Sequence, residues 1–555
     1  MKRRLLPILM TLVLVCALPI WAAFVTSGDV TNPLVCTAWA DTAEGERNSG
    51  TTQETFTEVT DETTLKKAVA DGKSVRMTQD ITLTSSLCIE KAVTLDMDGH
   101  VLTRMHTYEY DMVVIRSDAT LTLIDSNTGN LQHRFNAGET GWTKAADNAT
   151  GDGIVTVTGG VIYGDAGRSI INPCGIKILK GKLEMYGGSI VGIRNVYNAN
   201  GGGVYVSDQC TFNMYGGSIK GCYVFSDGGG VYVAAGGTFT MSGSSAITNC
   251  KGSRGGAVYN AGTFTMRDNS HIADCIYNSS IASGGGVHNK GTFTVEGGSI
   301  TGSVNDHNRE QSSDDICNEN KLDVSEGITI SCNVNVGYGG TISKGTFTGR
   351  VWIFWEGTIL GGTFTNEVIN YEGTIKAGEF TGEVTNTSGG TISGGTFDKN
   401  VANESGATIS GGTFNENVTN KTNATLNGGI FYGGVTNDGG KIEDGAYETV
   451  KFNSDNGAQA KEEKVLRGQK VAKPTDDPTK SGYTFIGWED ADGAYDFSKS
   501  VTAPLTLTAK WEKNPSSGGY YYYPTTDTKA DDTKGSPKTA DPGVALYAAL
   551  SILSL

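Results

Sequence analysis

The chain has 555 residues, 77 of them glycine, and a formal net charge of -16. That length holds several domains, and so much glycine at an ordinary charged content suits stacked coils and turns rather than a disordered tract. With no basic stripe to neutralise phosphates, the acid excess excludes a nucleic-acid partner and identifies no other.

Lys2, Arg3 and Arg4 precede an apolar run from Leu5 to Val25, and Ala38-Trp39-Ala40 stands ahead of Asp41. This is the pattern of an export signal over residues 1–40. The run is also long enough to stay in place as a bilayer anchor, and on either reading the remainder is expected outside the cytoplasm. Residues 41–60 are polar and read as a flexible lead-in. From Asp61 to Gly72 a short helix is predicted, with Asp61 as cap, Leu65, Ala68 and Val69 on one apolar face and Gly72 as its end. Alternating strands follow it, and a helix in that place covers the first rung's open edge.

The segment LDMDGHVL from Leu95 to Leu102, after that helix and DITL at Asp80 to Leu83, resembles the entry segment of the pectin-lyase-like right-handed β-helix proteins of bacterial surfaces. The resemblance covers roughly residues 61–335 and implies an architecture, not an activity. Within it, residues 125–173 break the strand pattern, and with Trp142, Arg168 and several aspartates they read as a lateral loop of the kind that carries binding.

Beyond Gly175 large repeats set in. Val204, Val231, Val258 and Val287 are spaced 27, 27 and 29, which predicts three strands per coil joined by long turns. Tyr205, Tyr232, Tyr259 and His288 each follow one of these inward valines and should line an outer face in a column, either stacked on one another or offered to sugar rings. Cys222, Cys250 and Cys275 lie three residues after Ile219, Ile247 and Ile272, which predicts an interior cysteine column whose bonding state the spacing leaves undecided.

From Thr341 to Val450 a shorter unit repeats, approximately G-T-I-x-x-G-T-F-x-x-x-V-x-N. Phe347, Phe364, Phe380, Phe397, Phe414, Phe431 and the stand-in Tyr447 are 16 or 17 residues apart, so residues 336–449 read as a second β-solenoid. Asn370, Asn386, Asn403, Asn420 and Asn437 lie two residues after a valine and should form an amide ladder along the stack. Trp352 and Trp355 at its start are candidate exposed aromatics.

Residues 450–513 change character. VKFN from Val450, GYTFIGW from Gly482, YDF from Tyr495 and LTLTAKW from Leu505 closely resemble the internalin-type B repeat, also called the Listeria-Bacteroides repeat, with Thr508 where an aromatic is usual. The resemblance implies a small β-grasp-like domain in a spacer or adhesion role. A polar linker over 514–535 leads to SPKTADPG and a terminal apolar run over 536–555, which resemble a sortase-type sorting signal. That likeness implies cleavage between Thr539 and Ala540 and attachment to peptidoglycan. Ser536, Ala540 and the lack of a basic tail depart from the pattern, and as a helix the apolar run spans only about 18 Å, so a shortened C-terminus is one reading of it.

The fold expected is therefore all-β, a parallel β-helix or β-solenoid with coils of about 27 and then 17 residues, followed by a small β domain. A β-helix lyase or glycosidase needs clustered carboxylates above a groove. The outward strand positions Glu184, Asn213, Thr240, Thr265 and Thr294 supply one carboxylate, and Asp96-x-Asp98 and Asp314-Asp315 read as turn or cap chemistry. The six histidines show no metal spacing, so neither metal nor cofactor is expected. Two functions stand: a non-catalytic surface protein that binds host or matrix glycans or proteins, and a wall-attached polysaccharide lyase or hydrolase with its site in loop 125–173.

Overall fold

The computed structural model describes residues 55–105, 110–127, 131–138, 141–164, 174–195, 199–278, 283–305 and 315–515. The export signal over 1–40, Arg168, Asp314, nearly all of the linker and the sorting signal with Thr539 and Ala540 lie outside the described residues. Among the described residues no helix is long and apolar enough to cross a membrane.

The predicted helix forms over Glu62–Asp71. The Asp61 carboxylate accepts from the Thr64 N–H while the Thr64 hydroxyl faces back to the Asp61 N–H, and Gly72 closes the other end at φ 79°, a left-handed conformation that costs glycine nothing. Leu65, Ala68 and Val69 join the core. One expectation changes here. Thr57–Val59, read as lead-in, is a strand that pairs in parallel with Val75–Met77.

Each large coil has four strands rather than three. In one turn they are Thr211–Met214, Ser218–Lys220, Tyr223–Val224 and Val231–Val233, each pairing in parallel with its counterpart one coil later. The additional strand is only two residues long, too short for an alternating pattern to show. The 17-residue coils have three strands, such as Thr391–Ile392, Thr396–Phe397 and Val401–Asn403.

The two kinds of coil share their walls. A 17-stranded sheet (sheet I, Thr57–Val59 to Lys441–Ile442) and a 15-stranded sheet (sheet II, Leu87–Ile89 to Val435–Asp438) run through both. An eight-stranded sheet (sheet III) ends at Ser299–Thr301 and a five-stranded one (sheet IV) at Val304–Asn305, and a seven-stranded sheet (sheet V) begins at Thr329–Ile330. In consequence the two phenylalanine columns belong to different walls. Phe212, Phe239, Phe264 and Phe293 lie in sheet I and are succeeded there by Leu322 and Ile342. Phe347 to Phe431 lie in sheet V, preceded by Ile330.

Like residues do stand above like in the interior. The sheet V phenylalanine rings are buried and stack at centroid separations of 4.7–5.2 Å. Asn370 Nδ2 donates to Asn386 Oδ1 at 2.7 Å, and the same bond repeats through Asn403, Asn420 and Asn437 at 2.9 Å. A second ladder not anticipated runs through Asn260, Asn289 and Asn318, with both bonds 2.7 Å. Between the ladders Val336 and Ile353 take the same place. Cys222, Cys250 and Cys275 form the expected buried column, and none is in a disulfide.

The phenylalanine column stops at Phe431, because Tyr447 begins the longer strand Tyr447–Asn453 instead of a seventh rung. Residues 467–469 take the end: the Phe431 N–H donates to Arg467 O at 2.8 Å, and Gln469 Nε2 donates to Phe431 O. This closes an edge that would otherwise template another chain.

Within 125–173 the described residues form a small antiparallel sheet rather than a bare loop. Gln132–Gly138 lies between Gly141–Lys144 and Ile154–Thr158. Phe135, Trp142 and Val157 form its apolar face and pack on Val101, Val161, Tyr163 and Val191.

By compactness the described residues form two units, the second comprising 451–461, 473–495 and 506–515. In it Tyr483–Asp490 pairs antiparallel with Gly493–Ala494 and with Leu505–Lys513, and Phe452, Phe485, Trp488 and Trp511 pack edge to face at 5.0–5.7 Å.

Candidate functional site

Side chains alternate across a strand, so the outward positions of sheet II make a continuous column. In register it reads Lys177, Tyr205, Tyr232, Tyr259, His288, Cys317, Asn335, Trp352, Ile369. The tyrosine column and Trp352, separate candidates in the sequence, therefore share one line.

The tyrosine column is stacked on itself. Ring centroids are 5.0 Å apart from Tyr205 to Tyr232, 5.1 Å to Tyr259 and 5.2 Å to His288, all within 14° of parallel. Both faces of Tyr232 and Tyr259 are thus occupied. The Arg254 guanidinium lies 5.1 Å from the Tyr259 centroid, held by Asp227 at 2.9 and 2.7 Å. Tyr259 is 6% exposed and His288 1%. Burial pushes the Tyr259 phenol up to about 12, against the pull of Arg254. The expected outer platform is accordingly closed at these two positions: Arg254 lies over Tyr259, and His288 has Tyr259 on one face and Glu319 beside its Nε2.

Open aromatic surface occurs one corner away. Tyr338, Trp355 and Tyr371 are 52%, 42% and 40% exposed. Tyr338 and Trp355 rings lie 4.8 Å apart, Phe354 is 5.7 Å from Trp355, and Phe354 is 5.9 Å from Tyr371. These residues follow the strands Val334–Val336 and Val351–Ile353 or end the strand Val368–Tyr371, so three successive rungs contribute. The backbone is left-handed at Tyr338 (φ 50°) and Trp355 (φ 36°). Bulky residues avoid that region at a cost of about 1–2 kcal/mol, and such strain concentrates at functional sites. Exposed Glu356 and Glu372 flank the rings. The sequence pointed to Trp355 and missed Tyr338, Phe354 and Tyr371. The 17-residue interval between Tyr338 and Trp355, equal to the period of the array, was the available signal.

The lateral sheet encloses a cavity of about 170 Å³, lined in part by Trp142, Tyr223, Asn249, Lys251 and Asp274. Trp142 lies on Gly221, where a Cβ would come within 2.3 Å of the indole. Asp274 is the one carboxylate of that lining among the described residues. Asp96, fully buried, accepts from Arg76 Nε at 2.8 Å, Ser126 Oγ at 2.6 Å and the Asp98 N–H at 3.1 Å, which is turn chemistry. Residues far apart in the chain also converge: ligand atoms of His288, Cys317 and Glu319 lie within 4.8 Å of one another, a grouping that spacing along the chain does not show.

Residues 449–510 match the family model of the Listeria-Bacteroides repeat domain. No curated protein and no solved structure matches the chain. The protein is thus a β-solenoid repeat protein that carries a Listeria-Bacteroides repeat domain.

Proposed function

We propose that this chain is a non-catalytic cell-surface protein whose solenoid presents the Tyr338–Phe354–Trp355–Tyr371 corner to glycans of host or matrix, with the repeat domain as spacer. The observation that carries the reading is the exposure of these rings on a strained, rigidly stacked turn. Aromatic faces bind the C–H faces of sugars, and Glu356 and Glu372 are placed to accept from hydroxyl groups. Export through residues 1–40 and sortase attachment to peptidoglycan at Thr539–Ala540 belong to the same proposal. Hydrolysis by paired carboxylates needs two such groups, and the described part of the lateral cavity's lining offers Asp274.

The test is a glycan array run with a reducing-sugar release assay on the full chain. Binding without release, lost in Trp355→Ala and Tyr338→Ala while the melting temperature holds, is the expected result. Release of sugar that depends on Asp274, or binding indifferent to both substitutions, would overturn the proposal.

A further inference from the structure

His288 and Cys317 occupy the same position on adjacent rungs of sheet II. Glu319 stands two residues beyond Cys317, and side chains at i and i+2 share a strand face, so the three side chains meet although 29 residues separate the first two. His288 and Cys317 are 1% and 3% exposed, and the Glu319 side chain is 13% exposed. Tyr259 closes one face of the imidazole.

The polar accounting around this group is incomplete. His288 Nδ1 has no hydrogen-bond partner, and Nε2, 3.2 Å from Glu319 Oε1, is poorly aligned with it. On the next rung Asn335, register partner of Cys317 and 4% exposed, has an Oδ1 without a partner. Buried polar atoms are nearly always satisfied, and a local concentration of exceptions calls for a group that would satisfy them. A neutral imidazole, a thiolate and a carboxylate supply nitrogen, sulfur and oxygen donors with two negative charges, matching a borderline dication. Calcium and magnesium prefer oxygen donors alone. Lys290 Nζ pairs with the other Glu319 oxygen, Oε2, at 2.9 Å, and its positive charge opposes a cation at this group.

We infer that His288, Cys317 and Glu319, the three ligands among the described residues, bind one divalent transition ion of the zinc class. The ion fastens two rungs of sheet II close to where sheets III and IV end at Ser299–Thr301 and Val304–Asn305.

The experiment uses the full chain, purified reduced, stripped with a chelator and titrated with Co²⁺ and then Zn²⁺. Visible absorption, elemental analysis and thermal melting are followed together. Expected are one equivalent bound, a thiolate-to-cobalt charge-transfer band displaced by zinc, and a melting temperature raised by zinc. Cys317→Ser should abolish the band, and His288→Phe should weaken binding by about tenfold or more. Lys290→Met, at a half-exposed position, should tighten binding by about tenfold, the effect of removing one unit charge roughly 6 Å from a dication in a water-like dielectric. It keeps the test open if the buried variants do not fold. Absence of stoichiometric binding, a band that survives Cys317→Ser, or an affinity unmoved by Lys290→Met would each overturn the assignment.

Discussion

Replacing Asn403 by alanine tests whether the amide ladder stabilises the narrow coils. Asn403 is fully buried, accepts from Asn386 Nδ2 at 2.9 Å, and donates to Asn420 Oδ1 at 2.9 Å and to Thr425 O at 3.2 Å. Alanine leaves one Asn386 N–H and the Asn420 Oδ1 without their ladder partners. Each orphaned buried group costs about 1–3 kcal/mol, so the loss should be about 2–6 kcal/mol. Asn437 ends the ladder in an exposed position, where water replaces lost bonds, and its alanine variant should lose under about 1 kcal/mol. Because solenoids can unfold in parts, hydrogen exchange on the rungs around Thr408 and Thr425 is the appropriate measurement, with urea unfolding beside it. Equal losses for Asn403→Ala and Asn437→Ala would refute the argument, since solvent access is what separates them.

Other consequences follow from the packing. Phe397→Ala removes a buried ring stacked at 4.7 and 4.8 Å on its neighbours and should cost about 3–5 kcal/mol in urea unfolding. Gly221→Ala puts a methyl group into the Trp142 indole at a position with φ 59°, so the lateral sheet should lift and proteolysis near Trp142 should accelerate, while the exchange of sheet V is unchanged. Against the upward push of its desolvation, Lys66, the Thr84 hydroxyl and the Thr84 N–H hold the Glu62 carboxyl at about 2, down from 4.5. A carboxyl depressed on folding stabilises above its unfolded pKa and loses that contribution as pH falls. Attachment of the helix should therefore weaken between about pH 4.5 and 2, by about 1 kcal/mol after solvent screening, and Glu62→Gln should remove that pH dependence from its hydrogen exchange.

What the sequence determined by itself was periodicity and its consequences. Equal spacing of Phe347 to Phe431 and of Asn370 to Asn437 imposes stacking of like on like, because one coil cannot bury its own apolar side chains and must use the next. The same logic located the cysteine column and the tyrosine column. The helix over Glu62–Asp71 was legible from its cap and stop residues, which act locally.

Three things were settled only in the tertiary structure. Continuity of sheets I and II through both coil types was hidden because the Thr-Phe pairs of the two arrays look alike, although they occupy different walls. Exposure was hidden as well: Tyr259 is covered by Arg254 from a neighbouring turn and Trp355 is not covered, a difference set by the path of the chain and absent from the period. The meeting of His288, Cys317 and Glu319 depends on rung register, which converts a separation of 29 residues into adjacency about one rung spacing apart.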